Sequence, residues 1–148
     1  MSTPVKSILM DAIEDAIKSI TSIKEVKDGQ SIPTDEEVKA YPWACYFDEM
    51  ETNEDKNRVS FKSFDLIIQI WVQEKSATTL AKQLTIMDAE LERTLLNDAG
   101  VLDASRGIRH TSSDKLYVDD EVRAILQAVY RVNYAHAWKD PYDPARGV

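Results

Sequence analysis

Cysteine, histidine and glycine are all scarce in this chain, and each shortage closes off a class of chemistry. Its 148 residues include one cysteine, two histidines and four glycines. A lone cysteine, Cys45, forms no internal disulfide and builds no cysteine-ligated zinc site. It lies between Trp43 and Phe47 in a strand-like stretch. A small buried residue is expected there, since a catalytic thiol needs a basic or histidine neighbour. His110 and His136 are 26 residues apart. No HxH, HxxxH or HExxH spacing accompanies them, so no metal site is expected. Gly29, Gly100, Gly107 and Gly147 each stand alone. That leaves no phosphate-cradling loop and no dinucleotide fingerprint, and no cofactor is expected. The serines fall in cap and turn positions and not in a nucleophile elbow. Acid runs such as Asp119-Asp120-Glu121 have no positioned partner for general acid–base work. The chain is expected not to be an enzyme, with no catalytic, cofactor-binding or metal residues.

Long apolar runs are missing as well. The stretch from Leu66 to Val72 is broken by Gln69, far short of the roughly 20 residues of a membrane span. At the N-terminus, "MSTPVKSILMDAIEDAIKSI" carries Asp11, Glu14 and Asp15 inside its apolar pattern. A secretory signal has a basic start and a clean apolar block instead, so folding in the cytoplasm with no membrane partner is expected. Positive charge is in short supply: 18 Lys and Arg stand against 26 Asp and Glu, a net charge of −8. Residues 28–56 alone hold nine acids (among them Asp35, Glu36 and Glu37) and only Lys39 and Lys56. Such a segment repels phosphate, so sequence-specific nucleic-acid binding is not expected, and a solvated acidic loop is the plain reading.

What remains is the pattern of an ordinary globular chain, 43% hydrophobic and of single-domain length. Thr3 and Pro4 suit a helix start. Val5, Ile8, Leu9, Ala12, Ile13, Ala16, Ile17, Ile20 and Ile23 then recur at spacings of three and four, one apolar stripe. "KEVKDGQSIPTDEEVKAYP" reads as a connector with a short strand near Val26. "WACYFDEME" alternates as a strand, "ETNEDKN" is polar and turn-prone, and "SFKSFDLIIQIWVQE" places Phe64, Leu66, Ile68, Ile70 and Val72 on one face. Together they predict a long hairpin with an acidic tip. Ile67 and Trp71 fall on its more polar face, under a second layer of the same subunit or against another one; intrachain packing is the expectation. "SATTLAKQLTIMDAELERTLLNDAG" predicts a helix capped by Ser76 or Thr78 and stopped by Gly100, with Leu80, Leu84, Met87, Leu91 and Leu95 buried. Residues 101–121 read largely as loop, with a strand at Ile108–Thr111 and "TSSDK" as a turn. Ala128–Ala137 reads as a strand, and 121–127 fits both periods. The predicted fold is α+β: an antiparallel sheet with a long hairpin, packed against two amphipathic helices. It is one domain over 1–148, with 139–148 as a C-terminal arm.

The order of these parts resembles a known family. An amphipathic helix leads to "YPWACYF", then to a charged tip, "FDLIIQIWVQ", a long helix and the closing "VYRVNYAHAWKDPYDP". This is similar to the tail terminator (tail completion) proteins of long-tailed bacteriophages and related contractile particles. The last strand with Tyr134, followed by Asp140-Pro141-Tyr142, carries the resemblance most specifically; the segment 101–121, with Arg106, Arg109 and Lys115, does not map onto it. The resemblance implies a structural virion protein that forms a ring, usually a hexamer, on the head-proximal end of the tail tube. The ring ends tube polymerisation and joins the tail to head-completion or neck proteins, and in contractile tails it touches the sheath. DNA passes through it, some acids lining the channel. A closed ring needs two unlike patches per subunit. The candidates are the hairpin tip (Glu51, Glu54, Asp55, Lys56, Arg58), Trp71, and the tail (Trp138, Asp140, Pro141, Tyr142), where deletion of 140–148 is expected to leave the fold intact. A head–tail connector or a small ligand-binding α+β domain is the alternative.

Overall fold

Residues 3–29, 41–118 and 122–145 are described by a computed structural model. The expectations that fall on residues 30–40, on Asp119-Asp120-Glu121 and on 146–148 lie outside them. The elements are α1 (Val5–Lys18), β1 (Glu25–Asp28), β2 (Trp43–Lys56), β3 (Val59–Gln73), α2 (Ala77–Asn97), α3 (Ala99–Ala104), β4 (Gly107–Val118) and β5 (Arg123–Ala137). They form the expected α+β fold around one five-stranded sheet, ordered β1-β2-β3-β5-β4. The sheet is mixed and not purely antiparallel, because β1 pairs with β2 in parallel. A third, two-turn helix joins the expected two.

The helices lie on one side of the sheet, and strict alternation supplies that side with apolar residues. Phe64, Leu66, Ile68 and Ile70 of β3 and Leu126, Ala128, Tyr130 and Val132 of β5 are fully buried there, beside Leu9, Ile13 and Ile17 of α1 and the whole predicted stripe of α2. Each such Leu, Ile, Val or Phe side chain removed from water contributes about 1.5–3 kcal/mol before entropy is counted. Ile8 departs from the predicted stripe; it is half exposed. Ser76 caps α2 as expected, its Oγ accepting from the Thr79 N–H at 3.2 Å. Gly100 does not stop that helix. The chain turns extended at Asp98, whose carboxylate then caps α3 by accepting from the Val101 N–H at 3.0 Å, and Gly100 sits inside α3.

Two further expectations change. The acidic "ETNEDKN" is not a long loop: β2 runs through it to Lys56, and the turn is only Asn57-Arg58, both left-handed at φ 53° and 65°. That is the two-residue turn whose twist matches paired strands. A bulge interrupts β2 between Glu49 and Thr52. "TSSDK" is likewise no turn; it belongs to β4, which runs unbroken from Gly107 to Val118 with a bulge between His110 and Ser112.

Candidate interaction surfaces

The face of the sheet turned away from the helices carries the alternate residues of the same strands. No other helix or strand among the described residues covers it. Register arranges those side chains in rows across the sheet. Trp43, Trp71, Ile125 and Leu116 form one row. Its two indoles pack edge to face, with centroids 6.5 Å apart. The next row is Cys45, Gln69, Gln127 and Asp114, in which the Gln69 amide donates to Gln127 at 2.9 Å. Cys45 is buried, as expected, but in this layer and not in the helix-covered core. Phe47, Ile67, Val129 and Ser112 follow, and then a fully charged row: Glu49, Asp65, Arg131 and Arg109. Within that row Arg131 bonds Asp65 at 3.0 Å and reaches the Met50 carbonyl at 3.3 Å and the Thr52 hydroxyl at 3.2 Å. Among the described residues, Trp71 and Ile67 thus meet their own row and strand neighbours and no second layer of elements.

The hairpin splits into an anchored base and an exposed tip. At the base, Lys6 of α1 meets Asp48 at 2.6 Å and Glu51 at 3.0 Å, and the Tyr134 hydroxyl donates to Glu51 at 2.8 Å. Partial burial works against the Lys6 charge, but hydrogen bonds and charge from both carboxylates outweigh it and raise its pKa. Burial, then the bond to Glu51, pushes the Tyr134 phenol up. Glu51 is therefore held against the domain. Glu54, Asp55, Lys56 and Arg58 are exposed. Asp55 accepts from Ser60 at 2.6 Å and Asn53 at 3.1 Å, which holds its carboxyl below the ordinary range.

The C-terminal arm is docked on the domain as far as Ala145. The Val5 N–H, first of α1, donates to the Pro141 carbonyl at 2.9 Å, and the Ala137 N–H donates to the Asp143 carbonyl at 2.8 Å. Arg106 reaches the Ala145 carbonyl at 3.3 Å, and Ala145 is buried beside Val59 and Ala135. Residues 141–145 thus lie beside the end of β5, past the point where β4 has begun. Asp140 closes a local turn by accepting from the Tyr142 N–H at 3.1 Å. Tyr142 and Pro144 line a cleft of about 150 Å³ with Val5, Ile8 and Arg106. Trp138 donates its backbone N–H to the Arg58 carbonyl at 2.9 Å, with Lys139 over its ring at 4.3 Å.

The structure therefore brings Asp55, Lys56, Arg58 and Trp138 together around one shallow pocket at the hairpin end. Tyr142 lines the tail cleft, Asp140 and Pro141 belong to the turn that leads into it, and Trp71 lies at the other end of the sheet. A polar cluster that the sequence did not disclose joins α2 to β4. Ser113 donates to Asp88 at 2.8 Å, His110 Nε2 lies 2.7 Å from the same serine oxygen, and His110 Nδ1 lies 3.1 Å from Glu92. A hydroxyl has one proton. The Ser113 proton goes to Asp88, so the imidazole faces a lone pair and the group works as a helix-to-sheet clamp.

No protein-family model matches the chain, and no curated protein matches it in sequence. A solved structure that it is similar to is a chain from the virion of a native gene transfer agent (GTA) particle. The TM-score is 0.43 at 13% identity, over 88% of this chain and 90% of that one.

Proposed function

We propose that this chain is a structural protein of a phage-like virion that sits as a ring on the head-proximal end of the tail tube, ends tube growth and presents a surface to the neck proteins. Its work is assembly by complementary surfaces, with no bond made or broken. The observation that carries this reading is the asymmetry of the sheet. At one end β2, β3 and β5 run on past both outer strands, since β1 reaches only Tyr46 and β4 begins opposite Asn133. They end in a charged tip beside Trp138. The sheet's two sides are unlike, one acidic at β2 and one bearing Arg109 and Lys115 at β4. Such a subunit offers the two different patches that a closed ring needs. The family resemblance of "VYRVNYAHAWKDPYDP" supports the same reading, and the ring copy number it implies is six.

The test is tail length, measured by negative-stain electron microscopy in particles assembled without this protein. Overlong, irregular tails are the expected result. Tails of normal length beside detached, filled heads move the protein to the connector, and normal infectious particles overturn both roles.

A further inference from the structure

We propose that copies of this chain join edge to edge, the outer edge of β4 in one copy pairing with the outer edge of β1 in the next, with Asp114 against the next copy's Lys27. The proposal rests on the ring reading above and supplies its subunit contact.

β1 and β4 are the outermost strands of the sheet, and among the described residues β1 pairs only with β2 and β4 only with β5. Open edges present unpaired N–H and C=O groups that template a further strand. Direction permits the join. β1 runs parallel to β2, and β2, β3, β5 and β4 alternate, so β4 is antiparallel to β1. A neighbour set alongside in the same orientation therefore continues the ladder, with the helices of both copies on one side. Height permits it as well. Register carries Glu25, Val26, Lys27 and Asp28 of β1 across the sheet to Leu116, Lys115, Asp114 and Ser113 of β4. In an unstaggered join all four residues of β1 therefore face a residue of the neighbouring β4.

Charge selects this register. The row through Cys45, Gln69 and Gln127 begins with Lys27 and ends with Asp114, so it carries opposite charges at its two ends. Asp114 is exposed and has no ion-pair or hydrogen-bond partner among the described residues. Lys27 makes a long pair with Glu25 of its own strand, at 3.7 Å, and lies over the Trp43 ring at 5.7 Å, with 41% of its side chain still in water. The unstaggered join sets these two charges directly opposite each other on the helix-free side, the closest cross-strand position. On the helix side it places the next copy's Asp28 diagonal to Lys115 and its Val26 diagonal to Tyr117. A slip of two residues one way sets Asp114 against Glu25, like charge on like. A slip the other way carries Asp114 past the end of β1. Apolar surface marks the same edge. Leu116 and Tyr117, successive residues of β4, are 51% and 52% exposed, where an edge that meets only water is usually blunted by charge or proline. The join brings Glu25 and Val26 of the next copy onto them. A head-to-tail contact of this kind closes into a ring when its rotation closes, and sheet twist supplies rotation at every strand.

The experiment is a charge swap on the full chain, with self-association read by analytical ultracentrifugation. Where the chain assembles only on the ends of tails made without it, ring occupancy there, counted by negative-stain electron microscopy, is the readout. Asp114→Lys and Lys27→Asp each put like charges in the join and are expected to weaken association about tenfold. Lys27→Gln, which keeps the stem beside the Trp43 ring, isolates the charge and is expected to cost about threefold. Asp114→Lys leaves the unfolding temperature unchanged, because Asp114 has no partner inside the subunit. The double variant Asp114→Lys with Lys27→Asp restores opposite charges and is expected to return to within about threefold of the starting affinity, the coupling that marks a direct contact. An Asp114→Lys chain that assembles like the parent, or a folded double variant that recovers nothing, overturns the β4–β1 join while leaving the ring reading standing. A parent chain that stays monomeric, both alone and on tail ends, overturns the ring and the join together.

Discussion

Ile67 and Ile68 are neighbours on β3, and they belong to different molecules in all but covalent bonding. Ile68 points into the layer closed by α1, α2 and α3, with no surface left to water. Ile67 points to the other side, between Phe47 and Val129, where no helix or strand among the described residues follows. On the first side the rows from Val72 to Phe64 are apolar or end in a clamp to a helix. On the second, apolar rows alternate with an amide row and a charged row. The helix-covered side holds the fold by burial. The bare side carries hydrogen bonds and charges laid out at fixed heights, an arrangement that adds little to stability and much to recognition.

Substitution separates the two sides. Ile68→Ala should cost about 2–5 kcal/mol in chemical denaturation, a transfer loss plus a cavity. Ile67→Ala should cost about 1–2 kcal/mol, since fewer packed atoms surround it. Equal losses would mean that the bare side is as much a core as the other. Ending the chain after Lys139 tests the tail, which bridges the two sides. It leaves the Val5 and Ala137 N–H groups without their acceptors and uncovers Val59, an expected loss of about 1–3 kcal/mol with the fold retained. An unchanged denaturation midpoint would mean that the docked tail adds nothing to stability. The smallest effect is at the hairpin tip. Ser60→Ala removes the main cause of the lowered Asp55 pKa, so the carboxyl followed by NMR should titrate closer to an ordinary aspartate. A lowered carboxyl stabilises the folded tip above the unfolded pKa and loses that contribution as pH falls through the folded one. The pH window in which the tip loosens should therefore move upward in the variant.

Where side chains alternate or recur with helical period, the sequence read correctly. The α2 stripe, the Ser76 cap and the buried side of β3 all follow from local spacing. Elements with solvent on both sides were not legible. Residues 48–56 and 111–118 are strands whose side chains are mostly exposed, so no alternation marks them, and "ETNEDKN" and "TSSDK" read as turns. Gly100 misled because Asp98 ends α2 first and begins α3. For the candidate surfaces, pairing brings the tip and Trp138 to one end, but the docking of the arm was not legible, because the Val5 N–H that its Pro141 carbonyl accepts from lies far away in sequence. The charged row was beyond reach: Glu49 is one acid among many until pairing sets it level with Arg109.

The strand order has a consequence for synthesis. β5 is made last of the strands yet lies between β3 and β4. Until residues 123–137 leave the ribosome, β4 has no strand to pair with, and the sheet possesses one of its flanks but not the other. A nascent or prematurely ended chain can therefore display the acidic flank alone.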